Sequence, residues 1–505
     1  MDLQFEHVVV LMLENRSFDH LFGYLGKGEG VPPQGFVNTL RSGGTETPFT
    51  TRKAGDFIAV GQGPSHSLKQ TNEQLFGVTK PTPEQSAQVP PMTGFVQSFY
   101  TSLSYDLRRH PTDHELQQVM NCFDPVQIPV LSELARSFVL CDHWFSDVPG
   151  PTMPNRAFVH AATSQGYTYN ADWKPKFTCK TIYDRINADP ALSWRVYSHD
   201  EDDVHELYPD LDKNAANHVP FEVNFTADVA DDRLATYSFI TPAFIGSPQH
   251  PVNSMHAPAD IRPAEKLVAD IYQALKSAPE VWKKTLFIIV FDECGGYFDH
   301  VPPPACVSPD GIPGRTDESF LVPFDFQRLG LRVPTILVSP WLQPGLDSTV
   351  YSHSTIPGSI IEAFQLPGGF LTKRDEMAAK LTAKYLVRDA ARVWREDVPD
   401  LVIPVQPTSL DDMQRELLNG SVNLDPHPEQ RNTLRTQDIQ DPAQAKAFIR
   451  TQYAKHMEHF LARRKIDDGA APGSLTTDRA LPSTMISPAR VAELVSQEPK
   501  RGLRP

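Results

Sequence analysis

Two short stretches of this chain place hard oxygen donors directly after apolar runs. Phe5 to Leu13 is one such run, and Glu14 and Asn15 follow it at once. Leu286 to Phe291 is the other, followed by Asp292, Glu293, Cys294 and the pair Gly295-Gly296. Carboxylate and amide oxygens suit a divalent cation such as calcium or magnesium better than zinc. Should the two runs be neighbouring strands, Glu14, Asn15, Asp292 and Glu293 meet at one point, with coordination left over for a phosphate. The plainer alternative is a pair of solvated strand ends, with the acids as helix caps. A third stretch, Pro149-Gly150-Pro151-Thr152-Met153-Pro154-Asn155-Arg156, sets a hydroxyl at the start of a helix, where free N–H groups and the dipole favour an anion. A simple cap threonine has the same pattern. Histidines stand in turns and loops at His66, His256, His300 and His353, and after a strand at His199.

The elements that must position these groups read as a mostly parallel α/β sheet. Continuous apolar runs with β-branched members mark strands buried on both faces, and ligands bind beyond the carboxyl ends of such strands. Further strands are expected at Phe138–Cys141, Trp194–Tyr197, Tyr237–Ile240 and Val333–Val338. Helices are expected over 113–136, with Asp113 as cap, over 263–277, and over 355–364. Residues 26 to about 110 read as a long loop or cap region, because periodicity is weak and Gly, Pro, Ser and Thr are many. Residues 200–232 read as an acidic, irregular insertion. The expected division is a catalytic domain over 1–395, a mainly helical segment over 396–465 with helices at 409–419 and 442–465, and a flexible tail over 466–505.

Composition narrows the partners. Apolar residues make up 40% and charged residues 22% of 505 residues, as in a soluble globular protein. The net charge of -15, without a basic patch, argues against a nucleic-acid partner. Five cysteines at irregular spacing predict free thiols rather than a zinc site or a disulfide framework. No signal peptide and no membrane-length apolar run is visible, so a cytoplasmic location is expected, with export by a non-classical route left open.

The blocks Glu14-Asn15-Arg16-Ser17-Phe18-Asp19-His20, Gly150-Pro151-Thr152-Met153-Pro154-Asn155-Arg156 and Asp292-Glu293-Cys294-Gly295-Gly296-Tyr297-Phe298-Asp299-His300 resemble signature blocks of a phosphoesterase family. That family comprises bacterial phosphatidylcholine-preferring phospholipases C, plant non-specific phospholipases C and related acid phosphatases. Arg332-Val333-Pro334 with Ser339-Pro340-Trp341 fits a fourth block, and the likeness spans roughly residues 5–375. The resemblance implies an alkaline-phosphatase-like three-layer α/β/α sandwich and metal-assisted phosphoester hydrolysis. It implies Thr152 as nucleophile, metal ligation by Glu14, Asn15, Asp292 and Glu293, and phosphate contact or proton transfer by His66 and His256. Asn155, His199 and His353 are expected near the substrate. A threonine at the nucleophile position goes with the phospholipase C branches, so a phospholipid substrate with transient membrane-surface contact is expected. A broad acid phosphatase on the same site is the alternative. A catalytically dead scaffold would not need the nucleophile, and a sulfatase-like or phosphonate-cleaving enzyme would call for a modification motif that is absent.

Overall fold

The computed structural model describes residues 5–55, 63–107, 109–170, 177–244, 251–257, 259–316, 322–381 and 448. The chain divides into two compact units, residues 1–413 and 414–505. The helices expected at 409–419 and 442–465 and the tail from 466 lie outside the described residues, apart from Phe448, which is helical.

The first unit is built on an eight-stranded sheet. Its strands are β1 (His7–Leu13), β2 (Val139–Cys141), β3 (Trp194–Ser198), β4 (His218–Pro220), β5 (Tyr237–Thr241), β6 (Thr285–Phe291), β7 (Thr335–Val338) and β8 (Gly345–Asp347). Across the sheet they run β8-β2-β7-β6-β1-β5-β3-β4. Only β7 opposes its neighbours; every other pairing is parallel. Strands β1 and β6 lie side by side, with Leu13 opposite Phe291. That register places Glu14 level with Asp292, as the two apolar runs predict. All seven residues of β6 are buried, because helices cover both faces.

One face carries α3 (Pro129–Ser137), α5 (Phe221–Ala230) and α6 (Arg262–Ser277), the last with Leu267, Val268, Ile271, Tyr272 and Leu275 inward. The other carries α4 (Thr152–Ala161) and α7 (Thr355–Ala363), which pack on each other. The architecture is thus a three-layer α/β/α sandwich.

Three expectations need correction. Residues 26–110 are not a structureless loop. They form a hairpin, Val37–Ser42 with Thr45–Thr50, and helices α1 (Leu68–Phe76) and α2 (Phe95–Leu107), around a separate apolar cluster that includes Leu40, Phe49, Leu75, Phe95 and Phe99. Short elements joined by Gly and Pro leave too little periodicity to be read from sequence. The helix expected over 113–136 is broken: it starts after a Thr112 cap, runs only Asp113–Gln117, and resumes as α3 after Pro129. Proline at a first helical position explains the restart. The acidic insertion is ordered too, since 200–232 holds a short helix at Asp203–Leu207, strand β4 and helix α5.

Candidate active site

The carboxyl ends of β1 and β6 carry the acids into a buried space. Glu14, Asn15, Asp292 and Glu293 are each no more than 5% exposed. Asn15 takes a left-handed backbone, φ 56°, and its N–H donates to Asp292 Oδ1 at 3.0 Å. Glu293 N–H donates to the same oxygen, and Gly295 N–H donates to Glu293 Oε2 at 2.7 Å. These bonds turn both chain segments toward one centre. Gly295 and Gly296, at φ 64° and 72°, complete the turn.

Electrostatics at this centre are unfavourable for the protein alone. Burial raises the pKa of Glu14, and the Asp292 charge adds to it, while Arg156 offsets part. Burial also raises Asp292, partly countered by Arg156 and by bonds from Asn15, Glu293 and Thr152. Glu293 is pushed up by burial and then by Asp292. Asn15 Oδ1, Asp292 Oδ2 and Glu293 Oε1 are buried without a close hydrogen bond among the described residues. Buried oxygens of that kind call for an explanation, and a hard cation meets their chemistry.

Thr152 enters from the other face of the sheet. It is not the helix cap the sequence suggests: Pro151 takes that position, and Thr152 is the first residue of α4. Its hydroxyl is therefore not taken up in capping the helix, and it helps hold the Asp292 carboxyl toward its charged form. Asn155, expected near the substrate, is instead fully buried within this loop. Its amide donates to the carbonyls of Val148, Gly150 and Pro151, and its oxygen accepts from Val148 N–H. All its polar capacity goes into shaping the approach to Thr152.

His66 reaches the centre from the cap. Its Nδ1 faces Pro64 O at 3.0 Å, so that nitrogen carries the proton and Nε2 is left as an acceptor. Nε2 lies 3.3 Å from the Asn15 amide nitrogen and 3.7 Å from Glu293 Oε1. His256 stands beside it, ring centroids 6.3 Å apart and edge-on. Burial lowers the pKa of both; His256 falls to about 3, with the charges of His66 and Arg16 contributing. His353 is placed differently from expectation. It is fully buried beneath the site, donating from Nε2 to Asp292 O at 2.6 Å and accepting from Trp144 at Nδ1, so both ring nitrogens are spent. His199 sits at the end of β3, two strands from β1, against Thr241 O and stacked on Phe221.

Sequence reasoning missed the arginines. Arg156, one helical turn after Thr152, is fully buried: it pairs with Asp203 at 2.9 Å, donates to Met12 O, and holds Nε 3.8 Å from Asp292 Oδ2. Arg332 joins Asp299 at 2.8 Å to Asp19 at 3.2 Å. Among the described residues, the group of three metal-ligating side chains with donor atoms within 4.8 Å of one another is Asp19, Asp299 and His300, not the acids at the strand ends. Arg332 already supplies the positive charge there, so this group is a brace between the first and third motif blocks. Arg332 lies 33 residues from Asp299 and 313 from Asp19, so the sequence gives no signal of these contacts.

A model of the phosphoesterase family matches residues 5–367. Non-specific phospholipase C6 of Arabidopsis thaliana is 35% identical over 387 residues, covering 74% of this chain and 70% of that protein. Phospholipase C B of Mycobacterium tuberculosis is 28% identical, with 75% and 77% covered. Among solved structures, a protein in the alkaline phosphatase superfamily from Vibrio parahaemolyticus aligns with a TM-score of 0.29 at 11% identity, covering 47% of this chain and 60% of that one.

Proposed function

This chain belongs to the phosphoesterase family, and from that premise we propose that it is a phosphoric diester hydrolase of phospholipase C type. It would release a phosphorylated head group and diacylglycerol from a glycerophospholipid. The observation that carries this is the convergence of Glu14, Asn15, Asp292 and Glu293 at the joined ends of β1 and β6, where three of their buried oxygens have no hydrogen bond among the described residues.

Glu14, Asn15, Asp292 and Glu293 are the residues that would hold a divalent cation, calcium or magnesium by their all-oxygen chemistry. Such an ion lowers the pKa of an alcohol it touches and draws charge from phosphoryl oxygens. Thr152 would attack phosphorus, because its Oγ is carried on the first residue of α4, whose dipole favours negative charge on the phosphoryl oxygens. His66, with its proton committed to Pro64 O, presents an acceptor at Nε2 and orders the Asn15 amide. His256 is the candidate to protonate the leaving oxygen. It is neutral in the free protein, and a phosphate anion beside it would raise its pKa toward that task. A soluble phosphomonoester could use the same groups, so acid phosphatase activity remains the second possibility.

The test compares hydrolysis of phosphatidylcholine micelles, p-nitrophenyl phosphate and p-nitrophenylphosphorylcholine, with and without chelator. Thr152→Ala is expected to lose at least about 1,000-fold in kcat while its melting temperature holds. Full activity in that variant would remove Thr152 as nucleophile. Activity on the monoester alone would favour the phosphatase.

A further inference from the structure

His256 has no regular element to fix it; it hangs on the turn between β5 and α6. The residue before it, Met255, is fully buried and takes φ 72°, a left-handed conformation that an L side chain with a Cβ disfavours. Such a residue persists only when its surroundings hold it there. Bonds within the loop, from His256 N–H to Ser254 Oγ and from Ala259 N–H to His256 O, shape the turn, and the groups that tie it to the acid-bearing segments come from the exit of β1. Glu14 N–H donates to Ser254 O at 2.8 Å, and Arg16 Nε donates to Met255 O at 2.8 Å. Arg16 N–H also donates to Glu293 O at 3.0 Å, so one residue touches both the acid-bearing loop and the histidine turn.

The rest of the Arg16 side chain is packed, not paired. It is 1% exposed, with its guanidinium 5.2 Å from the Tyr297 ring centroid and 5.7 Å from that of Phe123. Among the described residues, no carboxylate forms an ion pair with it. A buried cation without a counter-charge is a costly way to fill space. Its guanidinium favours the charged form of the nearby Tyr297 hydroxyl, and its short directed bond, 2.8 Å, is the one from Nε to the strained turn.

We propose that Arg16 is a positioning residue that, through Nε, fixes the turn presenting His256 to the leaving oxygen. This rests on the phosphoester-hydrolase function proposed above, with His256 as proton donor. The geometry supplies a sharp test. In glutamine, Nε2 lies the same number of bonds from Cα as arginine Nε, so Arg16→Gln keeps the donor and deletes the charge. In lysine that position is a methylene and the ammonium lies one bond farther out, so Arg16→Lys keeps the charge and takes the donor away from the Nε position. A misplaced proton donor costs about 100-fold, and the cost shows where the leaving group needs a proton.

Arg16→Gln is expected within about threefold of wild type on phosphatidylcholine. Arg16→Lys should lose about 100-fold in kcat there, with KM and the half-saturating calcium or magnesium concentration unchanged. On p-nitrophenylphosphorylcholine, whose phenolate departs unprotonated, the Lys variant should lose less than about tenfold. Should Arg16→Lys not fold, Arg16→Met takes its place as the donor-less variant. Equal activity in the Gln and Lys variants, the reverse order, or equal losses on both substrates would overturn the inference. A wild-type protein inactive on both substrates would instead overturn the hydrolase assignment beneath it.

Discussion

At Gly295 an added Cβ would stand 2.2 Å from Asn15 O, and at Gly296 one would stand 2.7 Å from Ser65 O. Both positions have positive φ. The first glycine therefore admits the Asn15 loop and the second admits the His66 turn. Gly295→Ala is expected to destabilise by about 2–4 kcal/mol and to lower cation affinity as Asn15 is pushed away; urea unfolding and a calcium or magnesium titration would measure both. Arg156→Met strands Asp203 as a buried charge, and a loss of about 3–5 kcal/mol is expected from the same unfolding experiment. That Glu14, Asn15, Asp292 and Glu293 meet was legible because the two pairs follow strands that lie side by side, where fold physics puts ligands. The partners of Arg16 and Arg156 were not, since Met255 and Asp203 are far from them along the chain and only the fold unites them. His353 misled for a related reason: a histidine beside a motif looks the same in sequence whether its nitrogens face substrate or Asp292 O.

At the scale of elements, polar side chains join segments that apolar packing alone would leave free to slide. Glu265 of α6 is wholly buried and accepts from Val130 and Leu131 N–H at 2.6 and 3.1 Å, closing the start of α3 from a neighbouring helix. Glu265→Ala should cost about 1–2 kcal/mol in a urea titration. The brace between the first and third motif blocks makes a different prediction. Burial disfavours the charged form of His300, yet the bond to Asp19 and the charges of Asp19 and Asp299 outweigh it and raise its pKa. A group with a raised folded-state pKa gives its full stabilisation below its unfolded value of 6.5 and loses it as pH climbs through the folded value. The urea midpoint should thus fall as pH rises above about 6.5, and His300→Gln should flatten that slope. Strand positions were readable from β-branched runs. Helix breaks were harder, because the Pro129 restart and the Thr112 cap are local events inside a continuous amphipathic pattern.

For the molecule as a whole, three buried carboxyl groups at one point make the native state dependent on whatever neutralises them. On the proposed function, calcium or magnesium at millimolar concentration should raise the melting temperature by several degrees, as a ligand held only by the folded state does. Asp292→Asn should blunt that rise, as scanning calorimetry with and without chelator would show. The cap has the further property that its apolar cluster is completed by Cys294, Phe298 and Leu331, which flank the acid-bearing strand end rather than the cap itself. Among the described residues, the interior of the cap is shared with the floor of the site, so the two pack as one body. Turnover on aggregated lipid should then be paced by lifting a single molecule out of its layer rather than by movement of the cap. Catalysis would show no lag on first meeting an interface, of the kind a swinging cover produces.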